Sequence, residues 1–289
     1  MRIAIAGGTG YLGSKLISKL LQEGHDVICI KRPESNIEHV PGKERVLFFD
    51  NDSANLKQLF SKYNVDCVVS TICNYLVPGM DDQDIIESNL IAPLHILNMY
   101  LKYNNYLKPC FITMDTGLAG NFNIYSQCKK QFADFGRYYA ERDELIFINV
   151  LLENFYGKDE PPNRFLMRSI RNLRRNKPLD LTPGTQHRDF IHIDDVVDNI
   201  ILMIRKVQDM NGYTDIPLGS GEAPTIREVM EYLKESTGSR SELRFGAVPF
   251  RKNEPNCIAD LTRLREIGGT IRYNWKEGMK LLTEEEKNS

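Results

Sequence analysis

The sequence lacks three features that would assign a chain of 289 residues to a class at once. No apolar run approaches the roughly 20 residues needed to span a bilayer. The N-terminal MRIAIAGGTG meets a glycine turn before it reaches the length of a signal peptide. The formal charge of -2 gives no general attraction to nucleic acid or anionic lipid. We therefore expect a cytoplasmic protein that binds neither nucleic acid nor membrane.

The six cysteines also lack a C-x-x-C pair, and several lie inside apolar, strand-like runs. This pattern favours buried, reduced thiols over metal or redox use. His187, His192, Asp194 and Asp195 lie close together, but in an alternating strand followed by an acidic helix start. A packed histidine and N-cap carboxylates are expected there, so no metal site is predicted.

What the chain does contain is an alternation of short apolar runs and helical periodicity over its first half. The strand-like runs are 2–6, 26–31, 45–50, 66–72, 110–115 and 146–152. Between the first two, leucine and isoleucine recur at 3.6-residue spacing as far as Gly24, where a helix C-cap is expected. This alternation predicts an α/β fold with a doubly wound parallel sheet of the Rossmann type.

The pattern changes after residue 157, where the polar, proline-bearing GKDEPPNRF precedes a basic helical stretch at 165–176. A strand and loop at 213–221 and a helix at 225–237 follow. We predict a Rossmann domain over 1–157, to which 186–218 contributes. A smaller C-terminal α/β domain is predicted over 158–185 and 219–289.

Gly7, Gly10 and Gly13 form a G-x-x-G-x-x-G motif directly after the first strand and at the start of the first helix. Backbone N–H groups and the positive end of a helix dipole can hold a dinucleotide pyrophosphate there, provided that no Cβ blocks the approach. A tight strand-to-helix turn is the alternative, but the strand and helix on either side favour dinucleotide binding. Tyr11 and Leu12, inside the motif, are included in the predicted cofactor site.

The end of the second strand indicates which dinucleotide binds. An acidic residue there would contact the ribose hydroxyls of NAD, whereas this chain has Lys31 and Arg32, which suit a 2′-phosphate. The sequence therefore predicts NADPH/NADP+, with a solvated strand end as the alternative. Asp50, at the end of the third strand, and its neighbour Asn51 are predicted to contribute to the cofactor site. Asp50 fits a contact to the adenine, although a turn-capping aspartate is nearly as common.

The segment NIYSQCKKQF places Tyr125 four residues before Lys129, on one face if the segment is helical. A free phenol has a pKa of about 10, and a nearby ammonium lowers that pKa by stabilising the anion. The spacing alone is weak evidence, because Tyr11 and Lys15 share it. Thr116, however, ends the fifth strand shortly before Tyr125, at the sheet edge where doubly wound folds bind ligands. This setting makes Tyr125 and Lys129 candidates for one shared site.

Thr116, Tyr125 and Lys129, with the glycine turn, resemble the short-chain dehydrogenase/reductase superfamily, specifically its extended branch acting on nucleotide sugars. The resemblance covers essentially the whole chain and includes SNLIAPLHIL, ENFYG and RDFIHIDDVV. Within the branch, KRPES, DTGLAGNFNIYSQCKKQF and FINVLLENFYG look most like CDP-abequose synthase and related nucleotide-sugar 4-ketoreductases. The gap between Thr116 and Tyr125 is shorter than in the epimerases of the branch, which leaves Thr113 as the alternative to Thr116.

The resemblance implies a reaction in which NADPH delivers hydride to a sugar ketone, Tyr125 protonates the oxygen and Thr116 hydrogen-bonds it. Lys129 would also contact the nicotinamide ribose. The implied substrate is a nucleotide-diphosphate 4-keto-6-deoxy sugar, with CDP favoured, held by the C-terminal domain. The implied cofactor residue is Asn89, and the implied substrate residues are Asn154, Arg188 and Arg251. Dehydration is not expected, because Gly117 and Leu118 replace the acidic pair of the dehydratases.

Two other functions remain open. A nucleotide-sugar epimerase would hold NAD, against which Lys31 and Arg32 argue, and an NADP-sensing regulator would not need Tyr125 and Lys129. A homodimer is favoured, because 84–104 and 123–141 are predicted to be long helices with apolar residues beyond one stripe. These residues include Leu97, Met99, Phe132 and Phe135.

Overall fold

The computed structural model describes residues 1–75, 81–106, 108–250 and 255–286. The chain divides into two compact units, one of Met1–Leu151 with Ile200–Ile216 and one of Leu152–Asn199 with Pro217–Ser289. The strands are β1 (Arg2–Ala6), β2 (Asp26–Lys31), β3 (Val46–Asp50), β4 (Cys67–Ser70), β5 (Cys110–Thr116), β6 (Ile146–Leu152), β7 (Asn154–Tyr156), β8 (Leu179–Leu181), β9 (Phe190–His192), β10 (Tyr213–Leu218) and β11 (Leu243–Phe245).

Several of the helices begin at residues whose side chains cap them. The helices are α1 (Tyr11–Gln22), α2 (Ser53–Lys62), α3 (Asp82–Ile86), α4 (Ala92–Tyr103), α5 (Ile124–Ala140), α6 (Phe165–Arg174), α7 (Ile193–Lys206), α8 (Ile226–Ser236), α9 (Thr262–Glu266) and α10 (Trp275–Glu285). Asp52 caps α2 through its side chain, and Asn123 forms a capping box with Ser126 at the start of α5. Gly24, with φ of +78°, follows α1 as expected.

The larger unit contains a sheet whose strand order, over the described residues, is β10-β6-β5-β4-β1-β2-β3. The pairs from β3 through β5 are parallel, with Ile3 opposite both Val27 and Cys67. Each predicted strand-like run matches a strand within two residues at either end. The predicted α/β Rossmann fold is therefore confirmed. The strand order reverses between β1 and β4, and ligands of such sheets bind at this point.

Helix α5, which carries the Tyr125 and Lys129 pair, packs tightly on the sheet. A Cβ on Gly136 would lie 2.2 Å from the ring of Phe147 on β6, so this glycine allows the close approach. Phe132 packs edge-to-face against Phe111 and Phe147, whose rings stack at 5.7 Å. These aromatic contacts fix the helix against β5 and β6.

The apolar residues that suggested a dimer interface do not all face outward. Leu97 and Phe132 are fully buried in the core, Met99 is partly buried, and Phe135 is exposed. The first of the two predicted long helices is also divided, because a π-helical turn (Glu87–Ile91) joins α3 to α4. The expectation that Leu97 and Phe132 extend beyond the buried stripe is therefore wrong.

The smaller unit has its own core beneath short parallel pairs, β7 with β9 and β8 with β11. Helices α6, α8 and α10 bury Leu166, Ile170, Met230, Leu233 and Met279 in this core. Glu160 and Arg164, just before α6, form an ion pair at 3.1 Å in which the glutamate is buried. Among the described residues, no helix is long and apolar enough to cross a membrane.

Candidate active site

The glycine turn after β1 is shaped by close backbone contacts. Gly7 has φ of +82°, and a Cβ there would lie 3.1 Å from both Ile72 N and Thr71 Oγ1. A Cβ on Gly13 would lie 2.4 Å from Gly7 O, and Gly10 donates its N–H to the same oxygen at 2.9 Å. A side chain is thus excluded at Gly7 and at Gly13.

The N-terminus of α1 is open to an anion. Gly10 is its N-cap and has no side chain to accept from the first N–H groups, and the first turn carries no acidic residue. Leu12 buries its side chain in the core, while Tyr11 is half-buried with Lys15 5.9 Å from its ring centroid. A glycine turn at an uncapped helix end fits a dinucleotide pyrophosphate.

The predicted cofactor residues at the ends of β2 and β3 lie together. Lys31 stands opposite Asp50 in the sheet register and donates to its Oδ1 at 2.6 Å. Asn51 donates its backbone N–H to Lys31 O at 2.8 Å. Arg32 forms an exposed ion pair with Glu34 at 3.1 Å. Each of the two cations therefore has a carboxylate neighbour, and this pairing was not predicted from the strand ends.

A short segment after β4, Ile72 to Asn74, contacts several of the predicted site residues. Lys129 Nζ donates to Ile72 O at 2.7 Å, and the Cys73 thiol donates to the Tyr125 hydroxyl at 3.7 Å. Asn89 holds Asn74 by bonds of 2.8 and 3.1 Å to its carbonyl and N–H. This contact of Cys73 could not be predicted from the sequence.

Asn89 fixes the backbone of this segment through hydrogen bonds. Its side chain is fully buried, and its amide group donates to Asn74 O and, at 2.9 Å, to Ile85 O. Both N–H donors of the amide are therefore used within the protein. Asn89 lies in the π-helical turn, a distortion that is often found at functional sites.

Tyr125 and Lys129 are both deeply buried, at 7% and 4% exposure. The Lys129 ammonium lies 5.9 Å from the centroid of the Tyr125 ring. Burial raises the pKa of the Tyr125 phenol well above 10, and Cys73 adds to this effect. Burial also lowers the pKa of Lys129. The net pKa of the Tyr125 phenol is therefore raised rather than lowered as predicted, because the loss of water is the largest effect on it.

Thr116 is the last residue of β5 and is largely buried. Its Oγ1 accepts from Leu118 N at 3.2 Å, which leaves the hydroxyl hydrogen to be donated elsewhere. The alternative, Thr113, lies inside the strand opposite Ser70. Of the two threonines, Thr116 is thus the one at the ligand-binding edge of the sheet.

The described substrate candidates, Asn154 and Arg188, both belong to the smaller unit. Asn154 Nδ2 donates to Asp189 O at 3.2 Å, and the Arg188 guanidinium donates to His187 O at 2.8 Å and to Pro255 O. Arg251 lies outside the described residues. Asn154 and Arg188 are therefore both next to Asp189, the residue just before β9: Asn154 through a hydrogen bond and Arg188 along the chain.

Asp189 joins three loops of the smaller unit. It is fully buried, and its carboxylate accepts from Ser220 N and Oγ, both at 2.7 Å, from Gly221 N at 3.0 Å and from Ala259 N at 3.1 Å. A Cβ on Gly219 would lie 2.4 Å from its Oδ2. Sequence analysis missed this role, since the donors come from distant parts of the chain.

The parallel sheet, the glycine turn and the buried tyrosine and lysine define a dinucleotide-binding protein of the short-chain dehydrogenase/reductase type. Residues 3–219 match the NAD dependent epimerase/dehydratase family. The chain belongs to that family, and the resemblance found from its motifs is confirmed.

Related proteins act on nucleotide sugars, as their names state. The chain is 26% identical to CDP-abequose synthase of Salmonella muenchen over 287 residues, 96% of each chain. It is 23% identical to dTDP-6-deoxy-L-talose 4-dehydrogenase (NAD(P)(+)) of Kitasatospora kifunensis, over 84% of this chain and 81% of that one.

Solved structures share the fold. The UDP-glucose 4-epimerase of Thermotoga maritima with UDP-glucose superposes with a TM-score of 0.85 at 22% identity, covering 100% of this chain and 99% of the other. The Thermus thermophilus UDP-glucose 4-epimerase in complex with NAD gives 0.84 at 20% identity, covering 100% of both chains.

Proposed function

We propose that the protein is an NADPH-dependent nucleotide-sugar 4-ketoreductase. It reduces a nucleotide-diphosphate 4-keto-6-deoxy sugar, with a CDP-linked sugar favoured, to the 4-hydroxy sugar. The observation that carries this proposal is the buried pair of Tyr125 and Lys129, held by the segment that adjoins the glycine turn. The name of the Salmonella relative supports a CDP-linked sugar, and that of the Kitasatospora relative supports a nucleotide-linked 6-deoxy sugar and chemistry at its position 4.

The larger unit is proposed to bind the cofactor. The N-terminus of α1 holds the pyrophosphate, and Arg32 with Lys31 holds the 2′-phosphate. Arg32 is suited to this task because its exposed ion pair with Glu34 is weak and can be exchanged for a phosphate. When bound, NADPH supplies the hydride.

Tyr125 is proposed as the proton donor to the ketone oxygen. Reduction needs a phenol that still carries its proton, and burial favours that form because it raises the phenol pKa. Thr116 can donate its hydroxyl hydrogen to the same oxygen, since its Oγ1 already accepts from Leu118 N. After proton transfer, the Lys129 ammonium stabilises the phenolate across a site that excludes water.

The smaller unit is proposed to bind the substrate. Asn154 and Arg188 are both next to Asp189, and the carboxylate of Asp189 fixes the loops around them. A guanidinium suits a diphosphate because its planar fork binds two oxygens at once. Arg251 is included in the proposed site because the family resemblance implies it as a substrate residue.

An epimerase is the second candidate, and one observation favours it. The 2.6 Å contact with Asp50 neutralises Lys31, which weakens the preference for a 2′-phosphate. Several solved neighbours are also UDP-sugar 4-epimerases, which oxidise and reduce the same carbon.

The test is NADPH oxidation with a panel of CDP-, dTDP-, UDP- and GDP-4-keto-6-deoxyhexoses, with product configuration read by NMR. The proposal expects NADPH to be consumed stoichiometrically and a 4-hydroxy sugar to form. Interconversion of UDP-hexoses without added NADPH would instead identify an epimerase. Binding of NADPH with no turnover of any sugar would favour a regulatory role.

We also propose a cytoplasmic homodimer. The π-helical turn and α5 expose Ile91, Phe135 and Tyr138, which are large apolar side chains. Exposed apolar side chains on neighbouring helices are typical of a surface that a second copy covers.

A further inference from the structure

Two side chains hold the backbone N–H and C=O groups of Thr116. Asp115 Oδ1 accepts from the Thr116 N–H at 2.6 Å, and Lys130 Nζ donates to Thr116 O at 2.6 Å. The same Nζ donates to Asp115 Oδ2 at 3.0 Å, so the two side chains enclose the end of β5. Lys130 projects from α5, and its contacts therefore join the helix that carries Tyr125 to the strand that carries Thr116.

The Asp115 carboxylate needs its hydrogen-bonding partners because it is buried. Its side chain is 1% exposed, whereas that of Lys130 is 31% exposed. A buried carboxylate is strongly unfavourable unless it is paired and hydrogen-bonded. Asn149 Nδ2, on β6, donates to Asp115 Oδ2 at 3.0 Å and to Asp215 Oδ1 at 2.8 Å, which ties the carboxylate to the neighbouring strands.

The loop between Thr116 and α5 is short and lies against Lys130. A Cβ on Gly120 would come within 3.2 Å of Lys130 Cγ, and Ser126 Oγ donates to Gly120 O at 3.2 Å. A short, anchored loop has little freedom to correct an error at its start. The direction of the Thr116 hydroxyl relative to Tyr125 therefore depends on how the Thr116 peptide is oriented.

We propose that Asp115 and Lys130 are positioning residues that set Thr116 against Tyr125 for ketone reduction. The ion pair fixes the last peptide of β5, and the aliphatic part of Lys130 supports the short loop. This inference rests on the proposed function, because it assumes that the Thr116 hydroxyl contacts the reacting oxygen. Lys129 and Lys130, although adjacent, thus have separate tasks.

The experiment compares Lys130→Met, Lys130→Arg, Asp115→Asn and the double variant Lys130→Met/Asp115→Asn with the wild type. Lys130→Met should lower kcat about 10- to 100-fold, as expected when a reacting group is misplaced, while KM and the NADPH Kd change little. Lys130→Arg should restore much of the loss. The double variant should be no worse than the poorer single variant, because both changes disrupt one interaction.

The matched control is Arg142→Ala, which removes an exposed ion pair with Glu144 just beyond α5. It should leave kcat unchanged. A purely structural role for Lys130 would lower Tm but spare kcat well below Tm, and that result would overturn the proposal. Losses of kcat that simply multiply in the double variant would also overturn it.

A second measurement does not depend on turnover. Hydrogen exchange of the Thr116 amide should accelerate in Lys130→Met, while that of Ile112, inside the same strand, should not. Unchanged exchange at Thr116 would refute the positioning role of Asp115 and Lys130 even if the enzyme reduces a ketosugar. Accelerated exchange in a protein that reduces none of the sugars would support that role and refute the proposed function.

Discussion

Replacing Tyr125 with phenylalanine separates the chemistry of the phenol from its packing. The ring has an edge-to-face contact with Tyr75 at 5.0 Å and lies 5.9 Å from the Lys129 ammonium, and phenylalanine can keep both contacts. The lost hydroxyl gives up a 3.7 Å contact with the Cys73 thiol. Because a thiol is a weak donor, the free energy of unfolding should change by less than about 1 kcal/mol.

Turnover should respond much more strongly than stability. A positioned acid contributes about 10² to 10⁴-fold to a proton-transfer step, so kcat of Tyr125→Phe should fall by that factor. NADPH affinity should stay nearly constant, since only the hydroxyl is removed. Lys129→Met should lower kcat and also weaken NADPH binding, because the lysine is proposed to serve both the phenol and the nicotinamide ribose.

The assay is NADPH oxidation at saturating ketosugar, with NADPH affinity measured by calorimetry and stability by urea unfolding. Tyr139→Phe is a matched control on the same helix, because it loses a hydroxyl that bonds Asn98 Oδ1 at 2.9 Å. It should keep wild-type kcat. If Tyr125→Phe retains more than about a tenth of wild-type kcat, the proton comes from another group and the mechanism is wrong.

Three further predictions follow from named contacts. NADPH should bind more tightly than NADH by about 1 to 3 kcal/mol, and Arg32→Ala should reduce that difference more than Lys31→Ala, because Asp50 already holds Lys31; equal Kd values for the two cofactors by calorimetry would refute this. Burial raises the pKa of Glu160 to about 7, so its contribution to stability is full below its unfolded pKa and is lost as the pH rises through 7. The free energy of unfolding of Glu160→Gln, measured with urea relative to that of the wild type, should therefore rise by about 3 kcal/mol between about pH 4 and pH 8. The same difference at both pH values would contradict this prediction. Light scattering should give the mass of a dimer for the wild type and a lower mass for Phe135→Glu. A wild-type monomer at micromolar concentration would exclude the proposed dimer interface.

Much of the larger unit could be predicted because its signals are local. Continuous apolar runs such as that of β4 predict a strand covered on both faces, and Gly7 to Gly13 mark the turn into α1. The pairing of Lys31 with Asp50 could not be predicted in the same way. It depends on the register of β2 against β3, and hydrophobic periodicity does not specify which charged residues stand opposite each other.

The same limit applies to Asn89 and Asp189. The sequence marks both as parts of motifs, but it does not show that one amide holds the segment after β4 or that one carboxylate collects donors from two other loops. These contacts join residues far apart in the chain. A motif pattern therefore predicts that such a residue is important more easily than it predicts what the residue touches.

The two tyrosine and lysine pairs have the same spacing in the sequence but different surroundings in the fold. Lys15 lies 5.9 Å from the Tyr11 ring centroid and Lys129 lies 5.9 Å from that of Tyr125, so the four-residue spacing gives both pairs the same local geometry. Only the second pair has both members deeply buried, and Ile72, 57 residues before Lys129, accepts its ammonium hydrogen bond. Burial favours the neutral phenol before reaction and strengthens the attraction between phenolate and ammonium after it. The distant segment, rather than the spacing, therefore makes one pair suited to proton transfer and leaves the other as a surface contact.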